Sequence, residues 1–345
     1  IEYLESLLTG TGHDLQLQTF KLTDQLTGRM MGVRADMTPQ VARIDAHQLK
    51  RETPTRLCYM GTVLHTRSDG FAGSRSPLQV GAELYGHSGV ESDVEVLSLM
   101  IETLQLANIG KPYLDLGHVG IFRGLAQQAG LTEDQEAELF DALQRKASVE
   151  INQLVKSWKL DSKVSEMLIS LATLNGGADI LDKAETVLSA ANDSVKQALQ
   201  NLKAIATQIA SRFDLPVNFD LAELRGYNYH TGVVFSAYMA GQGQAIAQGG
   251  RYDDIGEVFG RARPATGFST DIKILVESFK SKYENRGAIY APSDDDAGLA
   301  SQIAELRQQG ECVISALPGQ QGSAKDMGCD RQLVKSGKSW QVKSL

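Results

Sequence analysis

Only three cysteines occur in 345 residues, Cys58, Cys312 and Cys329, and they lie too far apart in sequence to suggest a disulfide framework. No CxxC pair is present, and such sparse usage suits a reducing compartment, so a cytoplasmic location is expected. Six scattered histidines give no zinc-ligand spacing, so neither a metal nor a cofactor is expected. No apolar run approaches the roughly 20 residues of a membrane span. There is no secretory signal, internal repeat or low-complexity tract. A Walker A pattern is absent, and the GxG triplets lack a strand-to-helix setting. Positive charge is short as well: 34 Lys and Arg face 42 Asp and Glu, a net charge of −8. That balance argues against nucleic acid or an anionic membrane as partner. An initiator Met is also missing, and Ile1 opens inside what reads as a structured segment, so residues are expected to precede it.

What is present is an ordinary globular composition, 42% hydrophobic and 22% charged. The length suffices for about two to three domains and a sizeable core. The run 56–64 and the partly alternating 78–85 read as strands, and the turn-rich 68–77 between them makes them candidate antiparallel neighbours. Residues 37–50 predict a short helix with Thr38 as N-cap and Pro39 first inside. Ser92-Asp-Val-Glu95 has the capping-box pattern for a helix to about Asn108, with Val94, Leu97, Ile101 and Leu104 on one face. A strand follows at 112–117.

From 119 to 215 the pattern turns helical, with a second capping box at Thr132-Glu-Asp-Gln135, and reads as an insertion. Strand patterns return at 216–224 and 228–239, and the short link 225–227 predicts a hairpin. Polar residues 280–287 read as a linker. Beyond it a strand at 288–292, a helix at 296–309 and a strand at 311–316 make a small α/β module over 288–345.

Four blocks carry candidate chemistry. In Arg34-Ala-Asp-Met-Thr38, Asp36 and Thr38 can face one side of an extended segment and receive an amino group, although Asp and Thr are also common helix caps. In Gln79-Val-Gly-Ala-Glu83, Gln79, Gly81 and Glu83 share one strand face. Glu83 suits an ammonium group or an imidazole N–H, unless this is the wet face of an edge strand. In Arg225-Gly-Tyr-Asn-Tyr-His230, Arg225 suits a carboxylate, while Tyr227, Tyr229 and His230 offer aromatic walls that a plain core would also use. In Gly249-Gly-Arg-Tyr-Asp253, paired glycines allow close backbone approach, and Tyr252 can cover a small ligand.

Taken in order, these blocks resemble the histidyl-tRNA synthetases and their paralogues, the regulatory subunits of ATP phosphoribosyltransferase. The resemblance covers about 1–118 and 216–280. It implies an α+β, class II aminoacyl-tRNA synthetase-like fold: an antiparallel sheet flanked by helices, interrupted by the insertion at 119–215 and followed by the module at 288–345. It assigns histidine binding to Asp36, Thr38, Gln79, Glu83, Arg225, Tyr229, His230 and Tyr252. Two family arginines that hold ATP are replaced, one by His65 in Leu64-His-Thr-Arg67 and the other by Ile274 in Asp271-Ile-Lys-Ile274. Within the third block, Asn228 and His230 stand where synthetases keep Asp and Tyr. Isoleucine supplies no charge to a reacting triphosphate, and one such lost cation costs roughly 10²-fold or more in rate. The C-terminal segment shows no basic or aromatic stripe for RNA.

The resemblance therefore implies a non-catalytic regulatory chain with no catalytic residues of its own. It would sense free histidine, form a dimer, and join the short catalytic form of ATP phosphoribosyltransferase in a hetero-oligomer. A working histidyl-tRNA synthetase is the alternative, and an RNA-binding or scaffold protein with a vestigial pocket stands behind it.

Overall fold

Short apolar segments near the start of the chain pair with one another first. In the computed structural model, β1 (Glu2–Tyr3), β2 (Phe20–Thr23) and β3 (Met30–Val33) form an antiparallel sheet in the order β1-β3-β2. Two short helices, α1 (Leu4–Leu8) and α2 (His13–Gln18), lie between β1 and β2 in sequence. The structure describes residues 1–8, 13–67, 74–224, 226–227, 229–279, 287–337 and 339–345. The turn expected at 68–77 and the linker at 280–287 fall largely outside them. The chain divides into two compact units, Ile1–Lys280 and Ser281–Leu345.

In the first unit, α3 (Thr38–Ile44) runs directly into a π-helical turn, Asp45–Leu49. The cap differs from expectation. Met37 occupies the N-cap and Thr38 is already helical, because the Thr38 hydroxyl is committed to Glu83. Then β4 (Thr55–Thr62) and β5 (Leu78–Tyr85) pair antiparallel along their full lengths, as the sequence predicts. The next helix, α4 (Val90–Leu106), starts earlier than its capping-box pattern suggests. Gly89 is the cap, and the Ser92 hydroxyl, one turn in, donates back to the Gly89 and His87 carbonyls. Its predicted face is fully buried, with Val94, Leu97, Ile101 and Leu104 at 1% exposure or less.

After β6 (Tyr113–His118), five helices and a short strand occupy the region read as an insertion. They are α5 (Val119–Ala129), α6 (Glu133–Gln144), α7 (Ser148–Ser157), α8 (Ser162–Leu171), β7 (Asn175–Gly176) and α9 (Asp179–Val187). The long α10 (Asp193–Arg212) closes the region. Thr132 and Gln135 form both bonds of a capping box on α6. Leu125, Leu139, Ile151, Leu168 and Leu202 from these helices join one core cluster with Leu116 and Phe235 of the sheet.

The main sheet is completed by β8 (Val217–Asp220), β9 (Val233–Tyr238), β10 (Ala245–Arg251) and β11 (Ala265–Asp271), followed by α11 (Ile272–Ser278). Its eight strands run β4-β5-β11-β10-β9-β6-β8-β7. The hairpin expected between 216–224 and 228–239 is not formed. β6 lies between β8 and β9, pairing parallel with the former and antiparallel with the latter. All other pairs in the sheet are antiparallel. The helix α4 packs on β5, β10 and β11.

The second unit contains β12 (Ala288–Ala291), α12 (Ala297–Gln308), β13 (Val313–Ser315), β14 (Cys329–Ser336) and β15 (Ser339–Ser344). Its sheet order is β13-β12-β14-β15. β12, α12 and β13 lie where the sequence pattern predicts a strand, a helix and a strand, whereas the β14–β15 hairpin was not expected, its strands being half exposed and rich in Lys, Ser and Gln. Among the described residues no helix is long and apolar enough to cross a membrane. No group of three or more His, Cys, Asp or Glu there could hold a metal.

Candidate functional site

Register builds this site. On β5, side chains alternate across the sheet, so Gln79, Gly81 and Glu83 point to one face. Because β5 sits between β4 and β11, that face is not the wet side of an edge strand, and Glu83 is only 3% exposed. The residue opposite Glu83 on β11 is Gly267. A Cβ there would fall 1.5 Å from a Glu83 carboxylate oxygen, so only glycine leaves room for the carboxylate. Opposite Gly81 on β4 stands Tyr59, which the same alternation turns inward.

Hydroxyl groups surround the Glu83 carboxylate. Thr38 Oγ1 donates to Oε1 at 3.0 Å, Tyr59 Oη donates to the same oxygen at 3.1 Å, and Tyr252 Oη donates to Oε2. Burial pushes the Glu83 carboxyl up to about 8, with the nearby Asp36 adding to the rise and the hydroxyl donors opposing it. Burial and the Glu83 charge together push the hydroxyls of Tyr59, Tyr229 and Tyr252 well above their usual range. The rings of Tyr229 and Tyr252 stack at 5.0 Å, with His230 edge-on to Tyr229 at 5.3 Å. The Tyr229 hydroxyl is buried and has no hydrogen-bond partner among the described residues.

Beside this cluster, Asp36 Oδ1 accepts from Gln79 Nε2 at 2.8 Å, and Gln79 Oε1 in turn accepts the Met37 N–H at 3.1 Å. That exchange fixes the turn into α3 and aims Asp36 and Thr38 at the same space. The floor is held from below by Arg251. Its guanidinium is buried with Asp93, contacts both carboxylate oxygens at 3.1 Å, and reaches the His87 and Gly89 carbonyls at the start of α4. Tyr252, the next residue, is thereby set in place.

The space enclosed is a cavity of about 230 Å³, smaller than the roughly 300–1,000 Å³ of drug-sized pockets and suited to a molecule of amino-acid size. Asp36, Thr38, Glu83, Tyr229, His230 and Tyr252 line it, as do Gln248 and Glu223, which the sequence reading did not nominate. Gln79 lines the adjoining space and reaches the cavity through Asp36. Arg225 lies outside the described residues. Tyr227 departs from expectation: it turns away to pack on Phe122 and Phe140, and its hydroxyl donates to Glu136. The missed Tyr59 and Gly267 were accessible only through strand register. No described Lys or Arg lines the cavity, whereas the carboxyl groups of Asp36, Glu83 and Glu223 do, so it suits a cationic or N–H-rich ligand.

A second cavity, about 520 Å³, adjoins the first and shares Gln248 and Ser269 with it. Both replaced positions, His65 and Ile274, open onto it. Ring Nε2 of His65 lies 2.8 Å from the Ala35 carbonyl, and Ile274 packs against the core. Among the described residues no Lys or Arg lines this cavity either. A triphosphate there would meet no positioned cation from the described residues.

Comparison with known proteins follows the division into two units. Residues 1–275 match the family model for histidyl-tRNA synthetase, and residues 286–343 match the ATP phosphoribosyltransferase subunit HisZ C-terminal domain. A curated ATP phosphoribosyltransferase regulatory subunit from Thioalkalivibrio sulfidiphilus is 59% identical over 348 aligned residues, covering 100% of this chain and 88% of the relative. The chain belongs to the ATP phosphoribosyltransferase regulatory subunit family. The Nitrosococcus oceani member is 56% identical, with 99% of this chain and 86% of the relative covered. Among solved structures, an ATP phosphoribosyltransferase regulatory subunit/histidyl-tRNA synthetase from Bacillus halodurans C superposes with a TM-score of 0.83 at 30% identity, covering 94% of this chain and 84% of that one. A histidyl-tRNA synthetase from Nostoc sp. PCC 7120, at 20% identity and a TM-score of 0.75, covers 96% of this chain and 81% of that one and shares the fold. The class II synthetase-like architecture is therefore that of the family, and the family is regulatory rather than catalytic.

Proposed function

We propose that this chain senses free histidine in the Glu83 cavity and acts on the short catalytic form of ATP phosphoribosyltransferase, activating it and imposing feedback inhibition by histidine. Asp36 and Thr38 would take the α-amino group, Glu83 with Tyr252 the imidazole, and Arg225 the carboxylate, with Gln79, Tyr229 and His230 completing the enclosure. The observation that carries this reading is the contrast between neighbouring cavities. One gathers carboxylates and hydroxyls in the space of a single amino acid, and the other lacks, among the described residues, any cation to hold a triphosphate. Regulation needs only that histidine prefer one assembly state over another. A coupling of about 1–3 kcal/mol, or roughly 5- to 150-fold, is typical of such linkage. The chain would act in the cytoplasm as a dimer within a hetero-oligomer, with neither nucleic acid nor membrane as partner.

Reconstitution tests the proposal. The purified chain is added to the short catalytic subunit, and phosphoribosyl transfer is followed as histidine is raised. The expected result is activation by the chain and its reversal by histidine, with the reversal weakened by Asp36→Ala. Activation that histidine does not touch would refute the sensing role. The synthetase reading requires histidine-dependent ATP–pyrophosphate exchange, which this proposal expects to be absent.

A further inference from the structure

Two helices of the region at 119–215 grip one wall of the Glu83 cavity. That wall is the turn carrying Tyr229 and His230, both of which line the cavity. The turn closes on its own backbone. The Tyr227 N–H donates to the Leu224 carbonyl at 2.9 Å, and the Tyr229 and His230 N–H groups both donate to the Gly226 carbonyl at 2.8 Å. Gly226 has a φ of 66°, and a Cβ there would fall 2.6 Å from His230 Nδ1, so the bend requires glycine. None of these bonds uses the Tyr227 or the His230 carbonyl.

Arg123 of α5 takes both. Its Nη2 donates to the Tyr227 carbonyl at 3.1 Å and to the His230 carbonyl at 3.2 Å, one hydrogen of the terminal nitrogen for each. The same guanidinium lies 4.9 Å from the centroid of the Tyr227 ring. No described carboxylate pairs with Arg123, so its charge goes to these two carbonyl dipoles and the ring. Tyr227 supplies a second hold. Its ring packs on Phe122 of α5 and Phe140 of α6, and its hydroxyl donates to Glu136 of α6. At the other end of the turn, the Thr231 N–H donates to the Arg251 carbonyl, and the Thr231 hydroxyl accepts the Asp253 N–H. Those bonds tie the turn to the segment that carries Tyr252, on which Tyr229 stacks.

We propose that Arg123 is a positioning residue for histidine binding: it holds the turn at 226–230 in the form that presents Tyr229 and His230 to the ligand. This rests on the reading of the Glu83 cavity as a histidine site. Arg123 does not itself line the cavity and acts only through the turn. The two carbonyls it joins lie three residues apart and bracket Tyr229, so losing the guanidinium frees the residue between them. The helices α5 and α6 thereby set ligand affinity from outside the cavity, which gives the region read as an insertion a part in sensing.

Hydrogen exchange and histidine calorimetry on the full chain test this. Arg123→Met keeps the apolar stem and loses the donors. Without any ligand, its amides at 226–231 should exchange about tenfold faster, while those of α4 and α10 exchange as in the parent. Its histidine affinity should fall about tenfold. Arg123→Lys keeps an ammonium that can still donate to a carbonyl and should recover part of both losses. In a Tyr229→Ala background, Arg123→Met should cost far less affinity than it does alone, because the wall it places is already gone. Arg145→Gln, a charge-matched change at exposed ion pairs with Asp141 and Glu150, should change neither readout. Parent-like exchange at 226–231 in Arg123→Met, or faster exchange spread equally over α4 and α10, would overturn the proposal. So would parent-like histidine affinity, or costs that simply add in the double variant. A parent that binds no histidine would overturn the histidine reading instead, and the ligand-free exchange still decides whether Arg123 holds the turn.

Discussion

Replacing Glu83 with Gln isolates a strongly displaced ionisation in the site. The carboxyl is 3% exposed, and burial holds it at about 8 when folded against an ordinary 4.5. Between those values the folded state binds a proton that the unfolded state has released, so stability falls as pH rises through that window. At about 1.4 kcal/mol for each tenfold change, the full span is on the order of 5 kcal/mol. Gln has the same shape and cannot ionise; its amide oxygen can still accept from Thr38 and Tyr59, while its Nε2 would donate to the Tyr252 hydroxyl. Urea unfolding of parent and Glu83→Gln should therefore give similar stabilities below pH 5. Above pH 8 the variant should be the more stable by a few kcal/mol, even though it has lost a charged group. Histidine binding should move the opposite way. A cationic ligand beside Glu83 favours the carboxylate, so the parent should release protons on binding below pH 8, seen as a buffer-dependent heat. Glu83→Gln should release fewer and bind about 10- to 100-fold more weakly. Parallel pH profiles for the two proteins would refute the assignment of a buried, proton-holding Glu83.

Three other substitutions probe the scaffold. Burial holds His118, the N-cap of α5, down to about 4, so folded His118 stays neutral while the unfolded ring takes a proton below 6.5. Stability should fall by up to about 3 kcal/mol as pH drops through that window, and His118→Asn, whose amide oxygen can take over the Gly120 N–H that Nδ1 accepts, should flatten that limb of the urea profile. Asp93→Ala leaves the buried Arg251 guanidinium short of its main partner and should cost about 3–5 kcal/mol in thermal or urea unfolding. Thr132→Ala removes one half of the α6 capping box and should cost about 1 kcal/mol by the same measurement.

Much of the site could be read from local pattern, because β5 alternation places Gln79, Gly81 and Glu83 on one face wherever that strand lies. What the pattern could not supply was the partner across the ladder. Tyr59 and Gly267 complete the carboxylate's surroundings through register between strands that are distant in sequence, and nothing near either residue announces it. The same limit explains the false hairpin. A short link between two strand-like runs favours direct pairing, but β6 had already taken the position between β8 and β9. Thr38 and Ser92 carry ordinary capping side chains, yet tertiary contacts and back-bonding claimed their hydroxyls, moving both caps to Met37 and Gly89. Tyr227 and Tyr229 sit two apart in one motif and point into different cores, a choice made by the loop's path rather than by residue type. By contrast, the Thr132–Gln135 box and the α4 face depend on neighbours three or four residues away, and these the sequence specified well.

The central claim is that the chain keeps a histidine pocket independent of nucleotide. It is tested most directly by titrating the purified protein with histidine in a calorimeter, with and without magnesium ATP. The account predicts saturable binding of one histidine per chain, with the same affinity in both experiments. No heat with histidine alone, or binding that appears only when ATP is present, would contradict it.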